Sequence, residues 1–357
     1  MRKWLFGIAF FCIGCSVPSK IVLNGSGGRN AYNVAVQKTN SEEMLLNLVR
    51  LKYGESPSFL ELSSITTQYS IKNIITAGIS IPGFSKTNPM NLRGETQFQS
   101  QPTLLYSPLQ GKDFANQILR PIDIGVIQQI IYSGWDLDRV FLLAIENFQE
   151  FPNLHREGLA PEELKRHEKF HEVIDLMKKL QMKGSLQIGV RQQTNDLKLK
   201  SLQFSFPFED QYGKEIAEIL KEEKSSNGKY IINIVQGFDE NGNIGILPRS
   251  LLSCMYYLSK NVRIPEKDIK VCKTSDIFNC TISTKDIPKI FKELLIVYNS
   301  NRKPKDSYVC VKYRDTWFYI KDGDIHSKKT FLLLLDLYNL QSGIPEVKGA
   351  LFTLPVG

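Results

Sequence analysis

The sequence lacks any apolar run that is long enough to cross a bilayer as a helix. Such a helix needs about 20 consecutive, mostly apolar residues. The longest candidate beyond the N-terminus, Phe331 to Leu340, falls well short of that length and contains Asp336 and Asn339. We therefore expect this segment to form a buried helix of a folded protein.

Motifs of several common enzyme classes are also missing. The sequence has no GxSxG nucleophile motif, no phosphate-binding P-loop and no GxGxxG dinucleotide motif. Histidine is scarce, with 4 residues in the chain, and neither His155 nor His326 lies in a recognisable motif. We therefore predict that the protein binds no cofactor, and we expect neither a lipase-type hydrolase nor a nucleotide-binding enzyme.

The N-terminus, by contrast, has the pattern of an export signal. Positive charge near the start is followed by an apolar run from Trp4 to Ile13 and by Gly14 and Cys15. A charged start, a short apolar run and a small residue are typical of secretory signals in this order. We predict a signal peptide over residues 1–14.

Cys15 is the predicted site of lipid attachment. The string CIGCS resembles the bacterial lipobox, in which a diacylglycerol is joined to the cysteine before cleavage on its N-terminal side, although Cys12 stands where leucine is usual. Cleavage before Cys15 by an ordinary signal peptidase and an uncleaved anchor are the alternatives. Two or more acyl chains anchor a protein stably. Because Ser16 stands where the inner-membrane retention signal has Asp, we expect a lipid-anchored protein on the periplasmic side of the outer membrane.

Length and charge describe a large, mildly basic protein after export. Removing 14 of the 357 residues leaves 343, which is ample for a large core. The net charge of +8 falls to +6 when Arg2 and Lys3 are removed. Such a protein is attracted to phospholipid headgroups, lipopolysaccharide phosphates or anionic wall polymers. We expect contact with the membrane through the N-terminal lipid and an envelope protein as partner, and we do not expect nucleic acid.

Hydrophobic patterning predicts an α+β fold of mixed antiparallel strands with a helical middle section. A tether containing Gly and Ser covers residues 15–30, and a helix is predicted from the N-cap Asn40 to Gly54. β-Branched and aromatic residues predict strands between Phe59 and Phe84. The polar stretch from Lys86 to Gln101 predicts a loop.

The second half of the chain alternates strands with helices. The string DIPKIFKELLIVYN is helical by its period, and SYVCVKYRDTWFYIKDGD predicts a hairpin. A long charged helix ends at Gly184, and short alternating strands begin after it. We therefore predict two subdomains, a helix-rich one over residues 31–184 and a second over residues 185–357.

Four cysteines remain beyond Cys15, and no two of them form a CxxC pair, so we expect no structural zinc site. Cys272 and Cys280 flank a short polar segment and are predicted to form a local disulfide in an oxidising compartment. Cys254 and Cys310 lie in apolar or strand-like strings and fit small buried residues equally well.

One string matches a catalytic pattern. His167, Glu168 and His171 form an HExxH sequence, which on a helix places both imidazoles on one face, where they could bind Zn²⁺ with the glutamate as general base. Basic residues surround it, whereas such sites are usually dry, and the third ligand would be an unmarked carboxylate such as Glu215 or Glu218. A solvated helix with i, i+4 charge pairs accounts for the same residues. We predict no metal and keep a zinc-dependent envelope hydrolase as the alternative.

Several blocks of the chain resemble a group of uncharacterised Gram-negative envelope lipoproteins. The matching strings are NLVRLKYGESPSFLELSSITTQYS, SGWDLDRVFLLAIENF, RSLLSCMYYLS, WFYIKDGDIHSKKTFLLLLDLYNLQSG and LFTLPVG. They are distributed over most of the mature chain, and the HEKFH string lies outside all of them. The resemblance implies an envelope location and no particular activity.

Our leading hypothesis from the sequence is a non-enzymatic binding or assembly component of the cell envelope. Arg314, Trp317 and Tyr319 are the interface candidates, because exposed aromatic residues and arginine dominate protein interfaces. Trp317 and Tyr319 share one strand face, so burial of both in the core is the competing interpretation. A lipid- or glycan-binding protein with an apolar cleft is a further hypothesis.

Overall fold

The computed structural model describes residues 29–78, 91–153, 161–192, 200–222, 227–237, 243–269 and 294–341. Its contacts divide the chain into a smaller unit, Met1–Asn40 with Leu60–Pro108, and a larger unit, Ser41–Phe59 with Leu109–Gly357. Helices accompany mainly antiparallel sheets, which confirms the predicted α+β class. None of the helices found in these ranges has both the length and the apolar character needed to cross a membrane.

Helix α1 (Arg29–Lys52) begins earlier than predicted. Asn40 lies inside the helix instead of capping it, because no glycine or proline interrupts the chain between Arg29 and Asn40. The predicted end is confirmed: Gly54 has a φ of 74°, and the Glu55 amide donates to the Arg50 carbonyl at 2.9 Å. A glycine in the left-handed region with such a bond is a frequent helix terminator.

The smaller unit contains a long antiparallel ribbon of strands β1 (Leu60–Gly78) and β2 (Asn91–Pro108). The two strands pair along their whole length, with one irregularity between Leu62 and Ser64. The predicted strand after Phe59 is therefore confirmed as far as Gly78. The predicted loop is wrong from Asn91 onward, because charged and amide residues in β2 alternate with uncharged residues that include Leu92, Phe98 and Leu104, and this period of two favours pairing.

The larger unit combines two sheets with helices before, between and after the strands. In chain order its elements are α2 (Gly111–Phe114), a π-helical turn (Ala115–Leu119), α3 (Ile124–Tyr132), α4 (Leu137–Ala144), β3 (Ile145–Phe148), β4 (Phe151–Pro152), α5 (Pro161–Lys183), β5 (Gln187–Gln192), β6 (Lys200–Pro207), α6 (Gln211–Leu220), β7 (Lys229–Gln236), β8 (Ile244–Pro248), α7 (Leu251–Ser259), α8 (Glu266–Ile269), β9 (Tyr298–Ser300), β10 (Ser307–Tyr313), β11 (Thr316–Lys321) and α9 (Ile325–Gln341). One sheet has the order β4-β3-β8-β7-β6-β5, in which the β7–β8 pair is parallel, and the other has the order β10-β11-β9.

The hydrophobic core of this unit is built around α4, in which every residue is buried. Helix α5 contributes an apolar stripe at helical spacing, including Phe170, Ile174 and Met177. Strands β6 and β7 contribute alternate residues such as Phe204 and Ile232, both fully buried. A helix that is buried all round must satisfy the polar groups at its ends within the protein.

Arg249, directly after β8, donates hydrogen bonds to carbonyl groups at the C-terminal end of α4. Its side chain is fully buried, and its Nη1 donates to the carbonyl oxygens of Leu142 and Leu143, each at 3.0 Å. Its Nη2 donates to the Asn153 carbonyl oxygen at 2.6 Å, and the guanidinium lies 4.3 Å from the centre of the Tyr257 ring. A cation is favourable there because the C-terminal end of a helix carries partial negative charge. Burial lowers the pKa of Arg249 from its ordinary value.

Asn153 and Cys254 complete this capping arrangement. The Asn153 Nδ2 donates to the carbonyl oxygens of Leu142 and Ile145, both at 2.8 Å. The Cys254 Sγ donates to the Leu143 carbonyl oxygen at 3.3 Å, and burial raises the pKa of this thiol to about 12. The helix, two strands and α7 are thus tied together at one buried polar cluster.

The predicted boundary at Gly184 differs from the division that the structure shows. Strands β3 and β4 precede Gly184 and strands β5 to β8 follow it, yet all six form one sheet. Gly184 has a φ of 71°, and the Ser185 amide donates to the Leu180 carbonyl at 3.0 Å. Gly184 therefore terminates α5, and the change of pattern there marks the end of a helix inside the larger unit rather than the border between residues 31–184 and 185–357.

The predicted hairpin near the C-terminus is confirmed as β10 and β11. Arg314 and Asp315 form its turn, with φ values of 43° and 65°, as a two-residue turn with both residues in the left-handed region requires. The predicted helix before it is wrong at its end, because Tyr298–Ser300 form β9 against β11. The β-branched residues that lead into Tyr298 favour a strand.

Candidate functional site

The HEKFH string lies on α5, as the sequence predicts, but its members differ in burial. His167 is 3% exposed, and its Nδ1 lies 3.3 Å from the carbonyl oxygen of Pro152 at the end of β4. The rings of His167 and His171 meet edge to face, with centres 4.4 Å apart. Glu168 is exposed to solvent. The i, i+4 spacing thus brings the two imidazoles together and leaves the glutamate outside.

A catalytic zinc site needs more than this pair. Within the seven described ranges, no group of three or more His, Cys, Asp or Glu residues is arranged to hold a metal ion. A general base would also have to lie beside the metal-bound water, whereas Glu168 points away from the buried side of the helix. Glu215 and Glu218 lie on α6 and join no such group. The two histidines form a packed pair that helps to hold α5 against β4.

We expect the His167→Ala variant to be less stable than the wild type and to have the same metal content. The substitution removes the ring contact with His171 and leaves the Pro152 carbonyl without this neighbour, at a cost of about 1–3 kcal/mol in the free energy of unfolding. Urea denaturation followed by circular dichroism measures the change, and the exposed Glu168→Gln variant serves as a control that should match the wild type. One zinc ion per purified chain, lost in His167→Ala, would instead support the hydrolase alternative.

The three-stranded sheet carries two of the interface candidates on its outer face. Along β11, Phe318 and Ile320 are fully buried, whereas Trp317 and Tyr319 are only partly buried. The pleat of a strand places alternate residues on opposite faces. Trp317 and Tyr319 therefore lie on the face opposite the core, and the interpretation that both belong to the core is wrong.

Strand pairing extends this outer face across the sheet. Tyr319 lies opposite Tyr298 of β9, and their ring centres are 5.8 Å apart. Trp317 lies opposite Lys312 of β10 and Ser300 of β9. We call the surface formed by Tyr298, Trp317 and Tyr319 the aromatic sheet face.

Cations lie over the rings of the aromatic sheet face. The Lys321 Nζ is 4.1 Å from the centre of the Tyr298 ring, and the Arg263 guanidinium is 4.7 Å from the same ring. The Lys303 Nζ is 5.4 Å from the centre of the Trp317 ring. Such contacts attract through the electron-rich ring face and hold otherwise mobile side chains in place. The surface is therefore both aromatic and positively charged.

A shallow pocket adjoins the aromatic sheet face. Its volume is about 540 Å³, and its lining includes Tyr298 and Tyr319 together with two lysines and two aspartates: Lys305, Lys321, Asp306 and Asp324. The sequence does not predict that Tyr298 joins the other two aromatic residues, because the period of its string predicts a helix. The signal that could have found it is the run of β-branched residues before Tyr298, which favours a strand.

Arg314, the third interface candidate, is engaged within the protein. Its Nη2 donates to Glu55 Oε1 at 2.6 Å, and its guanidinium lies 4.9 Å from the centre of the Tyr53 ring. The Tyr313 hydroxyl and the Arg314 guanidinium hold the pKa of Glu55 below its usual value. The structure thus places Arg314 at the hairpin turn, where it joins the segment after α1, and does not bring it into the aromatic sheet face.

The cysteine predictions fall into two groups. Cys15, Cys272 and Cys280 lie outside the described residues, so lipidation and the local disulfide remain predictions. Cys254 is buried and free, whereas Cys310 is partly buried and free on β10, opposite Tyr319.

Comparison of the chain with protein-family models, with curated proteins and with solved structures gives no match.

Proposed function

We propose that the protein is a lipid-anchored, non-enzymatic component of the cell envelope that acts by binding another envelope protein. In this proposal the chain is held by a lipid at Cys15 on the periplasmic side of the outer membrane. Its contact surface is the aromatic sheet face. The observation that carries the proposal is that three partly buried rings share the sheet face opposite the core, with cations positioned over two of them.

The composition of this face supports a protein partner. Aromatic and arginine residues supply most of the binding energy at protein interfaces, whereas isolated lysines on a surface contribute little. Here the strands hold the rings in fixed positions, so little conformational entropy is lost on binding. Because Arg263, Lys303 and Lys321 surround the rings, the complementary surface of the partner is expected to be acidic.

The remaining sites offer less support for catalysis. The histidine pair of the HEKFH string is packed against β4, and Glu168 is exposed. The buried Cys254 is an unreactive thiol, because burial raises its pKa to about 12 and the thiolate is the nucleophilic form. Neither arrangement combines a nucleophile with a neighbouring base.

Photo-crosslinking in intact cells tests the proposal. The crosslinking residue p-benzoylphenylalanine is placed at Lys312, which lies opposite Trp317, and in a control chain at Met182, which is 79% exposed near the end of α5. We expect one discrete crosslinked protein from position 312 and none from position 182. The same crosslinked species from both positions, or no species from position 312, contradicts the assignment of the aromatic sheet face.

A further inference from the structure

The ribbon of β1 and β2 has two unpaired edges in the described part of the chain. The strands pair with each other from Leu60 opposite Pro108 to Gly78 opposite Asn91, and they form a sheet of two strands. An isolated two-stranded hairpin is marginally stable in water. Long unpaired edges are also templates for pairing with other chains.

The register sorts the ribbon residues onto two faces of different composition. Residues that lie directly opposite each other share a face, and successive pairs alternate between faces. One face, here called the uncharged face, contains the pairs Ile65 with Leu104, Thr67 with Pro102, Tyr69 with Ser100, Ile71 with Phe98, Asn73 with Thr96, Ile75 with Gly94 and Ala77 with Leu92. It holds no charged residue.

The opposite face is polar. Its pairs are Ser64 with Leu105, Thr66 with Thr103, Gln68 with Gln101, Ser70 with Gln99, Lys72 with Gln97, Ile74 with Glu95, Thr76 with Arg93 and Gly78 with Asn91. The charged residues of the paired segment beyond the bulge, Lys72, Arg93 and Glu95, all lie on this face. Ile74 and Leu105 are the apolar exceptions: Ile74 lies opposite Glu95, and Leu105, opposite Ser64, is 56% exposed.

Side chains at the base of the uncharged face are open to solvent. Ile65 and Leu104 lie opposite each other, and they are 37% and 45% exposed. Tyr106, two residues beyond Leu104 on the same strand, is 48% exposed. Covering apolar side chains at these positions with other apolar groups lowers the free energy, because it removes their surface from water.

The length of the uncharged face matches the apolar part of a bilayer. From Leu92 to Leu104 the strand rises by roughly 40 Å at about 3.3 Å per residue. The hydrocarbon layer is about 30 Å thick, and a tilted strand of about 9–11 residues crosses it. Over this length the charged residues are confined to the other face, as in strands that contact lipid on one face only.

Contact with lipid also requires that the strand edges of the ribbon are paired. An unpaired amide or carbonyl costs several kcal/mol in the hydrocarbon layer, so open strand edges do not occur there. Another copy of this chain can pair with these edges. It has the same strand length and the same pattern of faces, and it is present at the same membrane.

We propose that the uncharged face of the ribbon lies against the acyl chains of a lipid bilayer and that its edges pair with ribbons of other copies of this chain. This role is separate from the aromatic sheet face, because different residues carry it. The polar face, with its glutamines and its three charged residues, remains in contact with water or with polar groups of the neighbouring copies.

Vesicle binding by the full-length chain with Cys15→Ser tests the proposal, because this background removes the acyl contribution. The probe is a neutral phosphatidylcholine vesicle, so an added lysine gains no attraction from the headgroups. The test variant is Ile71→Lys at the centre of the uncharged face, and the matched control is Ile74→Lys on the polar face, opposite Glu95. Flotation measures the bound fraction, and chemical crosslinking of the bound protein measures the number of copies.

We expect the background chain and Ile74→Lys to bind equally, as crosslinked multimers, and Ile71→Lys to bind at least tenfold more weakly. Equal β-strand signals in circular dichroism, together with equal thermal unfolding of the three proteins, exclude loss of folding as the cause; the strand signal is needed because both positions lie in the smaller unit. Three results would each overturn the proposal: no binding by the background chain, equal weakening by both lysine substitutions, or binding as a monomer. The aromatic sheet face is untouched in all three proteins, so failure here leaves the proposed function standing.

Discussion

Replacing Arg249 with methionine is expected to lower the free energy of unfolding by about 3–5 kcal/mol. The substitution keeps most of the side-chain length but removes the donors that reach Leu142, Leu143 and Asn153. These carbonyl groups lie at a fully buried site where water cannot replace the lost donors. The carbonyls of Leu142 and Leu143 keep donors from Asn153 and Cys254, so the cost consists of the lost hydrogen bonds and of the desolvation of the Asn153 carbonyl.

Chemical denaturation with urea, followed by circular dichroism, measures this effect. The matched control is Arg120→Met at an exposed arginine, which should leave the midpoint of unfolding unchanged. A single neutral hydrogen bond contributes about 1 kcal/mol. A loss of less than about 1 kcal/mol in Arg249→Met would therefore contradict a large contribution of the buried cluster to stability.

The second large effect concerns the lipid anchor. Cys15→Ser is expected to abolish incorporation of labelled palmitate completely, because an alcohol cannot replace the thiol that accepts the diacylglycerol in the lipobox pattern that CIGCS resembles. Growth of cells with labelled fatty acid, followed by immunoprecipitation of the protein, measures the label.

Cys12 provides a matched control for this prediction. It lies in the same short segment and is also a cysteine, but it occupies the position where the lipobox usually has leucine. Cys12→Ser should keep the label. Retention of the label in Cys15→Ser, or its loss in both variants, contradicts the assignment of Cys15 as the acylated residue.

Local patterns predicted several elements of the fold well. The hairpin of β10 and β11 was predictable because alternating apolar residues flank Arg314 and Asp315, and the end of α1 was predictable from Gly54. Polar residues dominate the composition of the stretch that contains the first part of β2, and this composition predicts a loop. The position of the charged residues at every second site is more informative there than mean polarity, since one face of the ribbon carries Lys72, Arg93 and Glu95.

Contacts between distant parts of the chain could not be predicted in the same way. Arg249 lies 107 residues from Leu142, and nothing in the string around it indicates that its guanidinium is buried against a helix end. The pattern change at Gly184 was visible, but a helix end and a domain border produce the same local signal. Strand order distinguishes them, and it depends on pairings across the whole larger unit.

The candidate site was predictable only in part, because it also depends on contacts between distant parts of the chain. The alternation along β11 placed Trp317 and Tyr319 on one face, but which face meets the core depends on where the rest of the unit packs. The pairing of Tyr298 with Tyr319 and the positions of Arg263 and Lys303 required the sheet order. The HEKFH string was recognisable, whereas the burial of His167 against Pro152 was not.

The most direct test of function by surface contact is the crosslinked yield from position 312 in intact cells, compared between the parent chain and a Trp317→Ala, Tyr319→Ala variant. The control is Tyr132→Ala, which removes an exposed ring elsewhere in the larger unit. Truncation of an aromatic hot-spot residue costs about 2 kcal/mol or more, so we predict a yield at least about tenfold lower in the double variant, measured at a temperature at which the variant is fully folded, and an unchanged yield in the control. An equal yield in the parent chain and the double variant would contradict the account.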